Sequence, residues 1–133
     1  MNVLLDTHVI LWSLYEPDRL TSKARDIISN PDNWIYYSQI SLWECEIKHN
    51  KHPDVFCFNA SDVGNDCFNS GFSQLDLQSR HILSLGRIGE PVGVKHNDPF
   101  DRMLMSQAYS DNMLFLTHDK RLQNYNISNV VFV

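Results

Sequence analysis

Short apolar runs alternate along the chain with stretches whose apolar residues recur at helical spacing. The runs predict strands over residues 3–5, 34–37, 72–75, 113–117 and 130–133. The helical patterns cover residues 7–15, 21–28, 42–50, 60–70, 77–85 and 99–110, with a short helical turn over 119–124 and a loop over 86–95. Strands that alternate with helices predict a parallel sheet with helices on both faces. In such α/β proteins, ligands bind at the carboxyl ends of the strands.

The clearest local signal is the start of the helix over residues 99–110. Asp98 is predicted to be its N-cap and Pro99 its first helical residue. Asp101 then falls in the first turn, where the helix dipole favours an anion. The sequence therefore predicts two carboxylates at one helix N-terminus.

Three more acidic residues are placed where they could join this pair. Asp6 follows the first strand, Asp119 follows the strand over 113–117, and Glu44 lies in the helix over 42–50, which Ser41 is predicted to cap. Each also has a purely structural interpretation. Asp6, Asp98 and Asp119 could only cap helical turns, and Glu44 could be a capping-box partner of Ser41 or pair with a lysine four residues later.

The joint placement of the five acids favours a site for a divalent cation. Neighbouring carboxylates raise one another's pKa, and a bound cation offsets that cost. Mg²⁺ and Mn²⁺ prefer oxygen ligands and retain waters, which is the arrangement used for phosphodiester hydrolysis. Two other chemistries are disfavoured by the residues after the first strand. An aspartyl phosphatase needs an acid where His8 stands, and a dinucleotide-binding turn needs glycines where Asp6, Thr7 and His8 stand.

Composition limits the class of protein. A chain of 133 residues with 43% apolar and 20% charged residues predicts one globular domain, residues 1–133. No apolar run is long enough to span a bilayer, and the odd count of 3 cysteines without a CxxC pair favours reduced thiols in the cytoplasm. The net charge of −5, from 11 basic and 16 acidic residues, disfavours nucleic-acid binding unless a cation offsets the clustered acids.

Four stretches of the chain resemble one known family. These are residues 4–12 (LLDTHVILW), Ser38 and Ser41 with the segment 43–48, His96 with residues 98–102 (DPFDR), and residues 116–119 (LTHD). In this order they resemble PIN-domain proteins, and among these the VapC-like toxins of type II toxin–antitoxin systems. The chain departs from the usual pattern of this subgroup between Lys51 and Lys95.

The resemblance implies a single PIN domain, a three-layer α/β/α sandwich with a mainly parallel central sheet. It also implies an endoribonuclease dependent on Mg²⁺ or Mn²⁺, a cognate antitoxin as partner, a homodimer and no association with membranes. The alternative is a PIN-like module that binds RNA or protein without cutting.

The resemblance also assigns expected roles. Asp6, Glu44 and Asp101 correspond to the acidic triad, Asp119 to the fourth acid and Thr117 to the polar residue beside it; Asp98 is a second candidate for the third acid. Asp6, Asp98 and Asp101 are expected to hold the cation. Thr117 and Arg102 are expected to contact the substrate, although a carboxylate of a partner could also pair with Arg102.

Overall fold

A five-stranded sheet forms the centre of the molecule. The computed structural model describes residues 1–93, 98–125 and 127–133. The strands are β1 (Asn2–Leu5), β2 (Trp34–Ser38), β3 (Ser73–Leu75), β4 (Leu114–Thr117) and β5 (Val130–Phe132). They lie in the order β3-β2-β1-β4-β5, and every neighbouring pair is parallel. The parallel sheet predicted from the alternating pattern is confirmed.

Helices connect the strands. They are α1 (Thr7–Tyr15), α2 (Ser22–Ser29), α3 (Gln39–Lys51), α4 (Ala60–Asn69), α5 (Ser79–Leu83), α6 (Leu85–Ile88) and α7 (Pro99–Ser110), with 3₁₀ turns at Pro17–Arg19 and Lys120–Asn124. In the described part of the chain, no helix is long and apolar enough to cross a membrane. The cysteines at 45, 57 and 67 are all free thiols.

The helices cover both faces of the sheet, because the strands alternate their side chains between two apolar clusters. Val3 and Leu5 of β1 belong to a cluster with residues of α1, α2 and α4, whereas Leu4 belongs to a second cluster with residues of α6 and α7. All three side chains are fully buried. A strand buried on both faces has this continuous apolar sequence, and the three-layer α/β/α arrangement is confirmed.

Two predicted boundaries are wrong. Helix α3 begins at Gln39 rather than after Ser41, and its N-cap is Ser38, whose hydroxyl accepts from the Ile40 N–H at 3.0 Å. The predicted capping box between Ser41 and Glu44 therefore does not form. The single helix predicted over 77–85 is divided at Ser84 into α5 and α6, and α6 continues to Ile88, inside the predicted loop over 86–95. The remainder of that loop is described only as far as residue 93, and His96 lies outside the described residues.

The strand order has a topological switch point between β1 and β4, in the middle of the sheet. The chain runs from β1 to β2 and β3 on one side, and β4 and β5 add on the other side of β1. Connections leave β1 and β4 in opposite directions, which opens a crevice at the carboxyl ends of these strands. Asp6 directly follows β1, and its backbone N–H donates to the Leu116 carbonyl of β4 at 2.9 Å. Asp6 therefore lies in this crevice.

Candidate acidic site

A cavity of about 310 Å³ lies at the carboxyl edge of the sheet. It brings together five acids that are far apart in the sequence, and five basic or imidazole side chains lie with them. The lining residues are Asp6, His8, Glu44, Lys48, Asp98, Asp101, His118, Asp119, Lys120 and Arg121. All five acids expected from the sequence therefore contribute to one site.

Asp6 is held between two elements. Its Oδ1 accepts from the Thr7 N–H at 2.7 Å and caps α1, and its Oδ2 accepts from the Thr117 hydroxyl of β4 at 2.6 Å. The side chain is only 3% exposed. Burial raises the pKa of Asp6 to about 6 although both hydrogen bonds oppose that rise, and the charge of Glu44 adds to it. Asp6 therefore both caps a helix and faces the cavity.

Asp98 and Asp101 enter the cavity from the start of α7. Asp98 is the N-cap, as predicted, and its Oδ1 accepts from the N–H groups of Phe100 at 2.9 Å and Asp101 at 3.2 Å. Asp101 is more buried, with 7% of its surface exposed. Burial, together with the charges of Asp6, Asp98, Glu44 and Asp119, raises the pKa of Asp101 to about 8. Asp98 therefore caps the helix, whereas Asp101 is the acid whose ionisation is opposed by burial and by the neighbouring charges.

Glu44 reaches the cavity from the second turn of α3 and is 3% exposed. Its Oε1 accepts from the Thr7 hydroxyl at 2.7 Å, and its Oε2 accepts from Lys48 Nζ at 2.5 Å. The Thr7 hydroxyl also lies 2.9 Å from Ser41 Oγ. The bond to Glu44 raises the pKa of Lys48 even though partial burial opposes the ammonium. The pairing with Lys48 is the alternative that the sequence left open for Glu44, and it coexists with the cavity position.

Asp119 lies on the rim and caps the following 3₁₀ turn. Its carboxylate accepts from Arg121 Nε at 3.0 Å and from the same guanidinium's terminal nitrogen at 2.6 Å, and this pairing raises the pKa of Arg121. The Asp119 N–H donates to the Thr117 hydroxyl at 3.0 Å. Thr117 is fully buried, so it connects Asp6 with Asp119 from behind the cavity and does not line it.

Arg102 points elsewhere. Its guanidinium donates to Glu90 at 2.8 Å and to the Gly89 carbonyl at 3.3 Å. It does not line the acidic cavity but a separate, mainly apolar one with Leu85, Pro99 and Met103. In this structure the Arg102 guanidinium is therefore not positioned to contact a phosphate held by the acids.

Four of the lining side chains were not predicted as site residues from the sequence: His8, His118, Lys120 and Arg121. Each lies within two residues of Asp6 or Asp119, so adjacency to a strand-end acid was the available signal. His8 and His118 are both exposed. The cavity is therefore acidic in its interior and has cationic and imidazole groups around it.

The donor set is chemically suited to a hard cation. Among the described residues, no three His, Cys, Asp or Glu side chains already form a closed ligand group. An ion that keeps most of its waters and takes one or two carboxylates, as Mg²⁺ does, needs no such group. The raised pKa values of Asp6 and Asp101 show that ionised carboxylates here lack full compensation, which a bound cation would supply.

Comparison with solved structures finds the same fold in three complexes at low sequence identity. VapBC2 from Rickettsia felis, bound to a DNA fragment from its promoter, aligns with TM-score 0.70 and 15% identity over 100% of this chain and 99% of that chain. DNA-bound VapBC from Salmonella typhimurium aligns with TM-score 0.67 and 19% identity over 99% and 98%. VapBC-1 from nontypeable Haemophilus influenzae aligns with TM-score 0.59 and 18% identity over 93% and 92%.

A comparison with curated protein sequences found no match. The comparison with family models did find one: residues 3–127 match the PIN domain. That range contains all five acids of the cavity, the strands β2, β3 and β4, and β1 from Val3 onward, whereas β5 lies beyond it. The chain belongs to the PIN-domain family.

Proposed function

We propose that this protein is an endoribonuclease that depends on Mg²⁺ or Mn²⁺ and hydrolyses RNA phosphodiesters at the acidic cavity. The carrying observation is that Asp6, Glu44 and Asp101, all at most 7% exposed, line one cavity at the carboxyl edge of the sheet. A fold that only needed helix caps would not bury three carboxylates together, because buried carboxylates that lie close to one another cost free energy when they are ionised.

In this proposal Asp6, Asp98 and Asp101 hold the cation, with Asp101 as the main third acid of the triad. When bound, the cation makes a water more acidic and neutralises charge on the phosphate. Thr117 keeps the Asp6 carboxylate oriented through its 2.6 Å hydrogen bond. Asp119, fixed by Arg121, supports the site from the rim.

Glu44 orients the attacking water and accepts its proton. Lys48 and Thr7 each occupy one carboxylate oxygen, which leaves a second lone pair on each oxygen for that water. Attack of the water oxygen on phosphorus breaks the bond to the 3′ oxygen, which takes a proton from solvent water and leaves as a hydroxyl. The products are a 5′-phosphate and a 3′-hydroxyl.

We further propose that the protein acts in the cytoplasm as the toxin of a type II toxin–antitoxin system and forms a homodimer. Two observations support this proposal: the VapC-like motifs of the sequence, and the fold shared with three VapBC complexes, which cover nearly the whole chain. A cognate antitoxin would bind this chain and inhibit it.

Incubation of the antitoxin-free protein with cellular RNA tests the proposed activity. We expect discrete cleavage in Mg²⁺ or Mn²⁺, none in EDTA, and none with Asp6→Asn or Asp101→Asn. Asn keeps the size of the side chain, so circular dichroism should show an unchanged fold. As a matched control, Asp26→Asn changes an exposed aspartate of α2 and should leave cleavage intact.

Cleavage that persists in both the Asp6 and Asp101 variants would refute the assigned site. Binding of RNA without cleavage by the wild-type protein, in either metal, would instead favour the non-cutting PIN-like module. End-labelled fragments identify the terminal groups and test whether water attack leaves the 5′-phosphate.

A further inference from the structure

Aromatic side chains form a row that begins at the rim of the acidic cavity. The Trp12 ring of α1 lies 4.7 Å from the His118 ring, which meets it edge-on at 71°, and 6.1 Å from the tilted His8 ring. The Arg19 guanidinium lies over the Trp12 ring at 4.8 Å. Both imidazoles line the cavity. None of these rings is used by the proposed hydrolysis.

His118 is exposed yet fixed in orientation. Its Nδ1 lies 3.0 Å from the backbone oxygen of Val133, and because that oxygen can only accept, Nδ1 must carry the proton and donate. The edge contact with Trp12 holds the ring from a second side. An exposed ring is normally free to change rotamer, and ordering it on binding costs free energy. Here the ring is oriented before any ligand arrives.

Trp12 supports the His118 ring and is not itself the surface that a ligand would contact. It is half-buried, it packs against the apolar cluster beneath α1, and Arg19 covers its ring. The ring of His118 is therefore the member of the row that is both oriented and accessible.

We infer that the His118 ring is a stacking platform for an unpaired RNA base of a nucleotide next to the cleaved bond, with Trp12 as its positioning residue. The inference rests on the proposed ribonuclease function. Imidazole rings are among the side chains on which unstacked RNA bases stack. His118 directly precedes Asp119 in the sequence, and both line the cavity. An RNA strand whose phosphate lies among the acids would therefore place the base of a neighbouring nucleotide near the His118 ring.

Because the protein is acidic, stacking on His118 is a useful contribution to RNA binding. A net charge of −5 disfavours RNA binding that depends mainly on pairing cations with phosphates. Of the three lysine and arginine side chains that line the cavity, two already pair with its acids, Lys48 with Glu44 and Arg121 with Asp119, and Lys120 is the third. Stacking contributes binding that needs no net positive charge and accepts any base, because every base has a π-face.

The test compares His118→Leu, His118→Phe and wild type on a fluorogenic single-stranded RNA. Loss of one stacked base weakens binding roughly 5- to 100-fold, so we expect Leu to raise KM by about that factor, with a smaller effect on kcat. Phe keeps a flat ring and should restore most of the affinity, whereas it cannot replace an imidazole that acts by charge or proton transfer. Anisotropy of a labelled RNA of the same sequence, measured with Mg²⁺ in the Glu44→Gln background, reports the binding loss without cleavage, because that background lacks the group that accepts the proton of the attacking water.

Two further variants separate positioning from folding. Trp12→Leu should raise KM as His118→Leu does, whereas a merely destabilised enzyme would lose active molecules and therefore kcat. His52→Leu, an exposed histidine at the end of α3, is the matched control and should change neither constant. An RNA with abasic residues beside the cleaved bond should bind wild type and His118→Leu equally.

The stacking platform is refuted if His118→Leu binds RNA as wild type does, or if His118→Phe is as impaired as His118→Leu. The absence of cleavage by wild type would refute the proposed function instead. In that case the anisotropy series with the same variants still decides whether His118 stacks a base.

Discussion

The buried acids make a measurable prediction about stability: in the absence of divalent cations, Asp101→Asn should be more stable than wild type. Burial and the neighbouring acids raise the pKa of Asp101 from 3.8 to about 8. The folded protein therefore holds a proton on Asp101 at neutral pH that the unfolded chain releases. A raised folded-state pKa contributes stability that is complete below the unfolded value and is lost as the pH rises through the folded value.

The magnitude follows from that difference. Each pH unit between the folded and unfolded pKa corresponds to about 1.4 kcal/mol. The rise to about 8 would thus amount to several kcal/mol at alkaline pH. Rearrangement of neighbouring side chains and entry of water reduce this cost, since effective dielectric constants near such sites are well above those of a dry interior. We expect Asn, which is neutral at every pH, to raise the free energy of unfolding by about 2–4 kcal/mol near pH 8.

The assay is urea unfolding in EDTA at several pH values, repeated with Mg²⁺ or Mn²⁺. In EDTA, wild-type stability should fall between about pH 4 and pH 8, which are the ordinary and raised pKa values of Asp101, and the fall should be smaller in the variant. Binding of a cation to the folded state at about 100 times its Kd adds about 2.7 kcal/mol. Wild type should gain this stabilisation and Asp101→Asn should lose most of it.

The control is Asp26→Asn, because Asp26 is an exposed aspartate within a helix. It should be neutral in EDTA and should leave the cation effect unchanged. Two results would contradict the reasoning. One is an Asp101→Asn protein that is less stable than wild type in EDTA near pH 8. The other is an equal stabilisation of wild type and variant by Mn²⁺.

Two other polar side chains are open to tests of the same kind. Thr117→Val removes the hydroxyl that donates to Asp6 and leaves the partly buried N–H of Asp119 without this acceptor. Urea titration should show a loss of about 1–3 kcal/mol, whereas Thr117→Ser keeps the hydroxyl and should lose at most about 1 kcal/mol. The Arg80 hydrogen bond, with help from His81, lowers the pKa of Asp111 to about 2. A lowered pKa stabilises above the unfolded value, so Asp111→Asn should cost about 2 kcal/mol at pH 7, and melting curves should converge as the pH falls from 4 towards 2.

Local signals were sufficient for α7 and for its cap. The Asp98–Pro99 start and the apolar period after it predict a helix over 99–110, and the structure has α7 at Pro99–Ser110 with Asp98 as N-cap. The reason is that a cap bonds to N–H groups two and three residues away, so the whole interaction lies within one short segment of sequence. Helix α1 at Thr7–Tyr15 was predicted for the same reason.

The start of α3 was not predictable in this way, because two serines compete for the cap. Ser41 has the glutamate three residues later that a capping box requires, but Ser38 is the cap that forms. The Ser38 hydroxyl also donates to Gln107 of α7 at 2.5 Å, and both side chains are fully buried. That contact joins residues far apart in sequence, and tertiary packing of this kind overrides local propensity.

The true start of α3 changes how the position of Glu44 in the site is explained. With Ser38 as the cap, Glu44 lies in the second turn and has no bond to a helix N-terminus that would account for it. Its partners are Thr7 on α1 and Lys48 on its own helix, and the carboxylate is buried at the cavity. Of the two structural interpretations of Glu44, the capping box is therefore excluded and the pairing with Lys48 remains.

The positions of the acids were largely predictable, but the differences in how strongly the fold opposes their ionisation were not. Position after a strand or at a helix start puts Asp6, Asp98, Asp101 and Asp119 at the carboxyl edge of a parallel sheet, and Glu44 reaches the same cavity from the second turn of α3. Which of them is costly depends on packing around each one. Asp119 has an arginine two residues away and Asp98 has backbone N–H groups, whereas Asp101 lies deeper among four other acids. A cation bound in this cavity would therefore relieve Asp101 most, which is why the stability of the Asp101 variant, with and without metal, is the most direct physical test of the site.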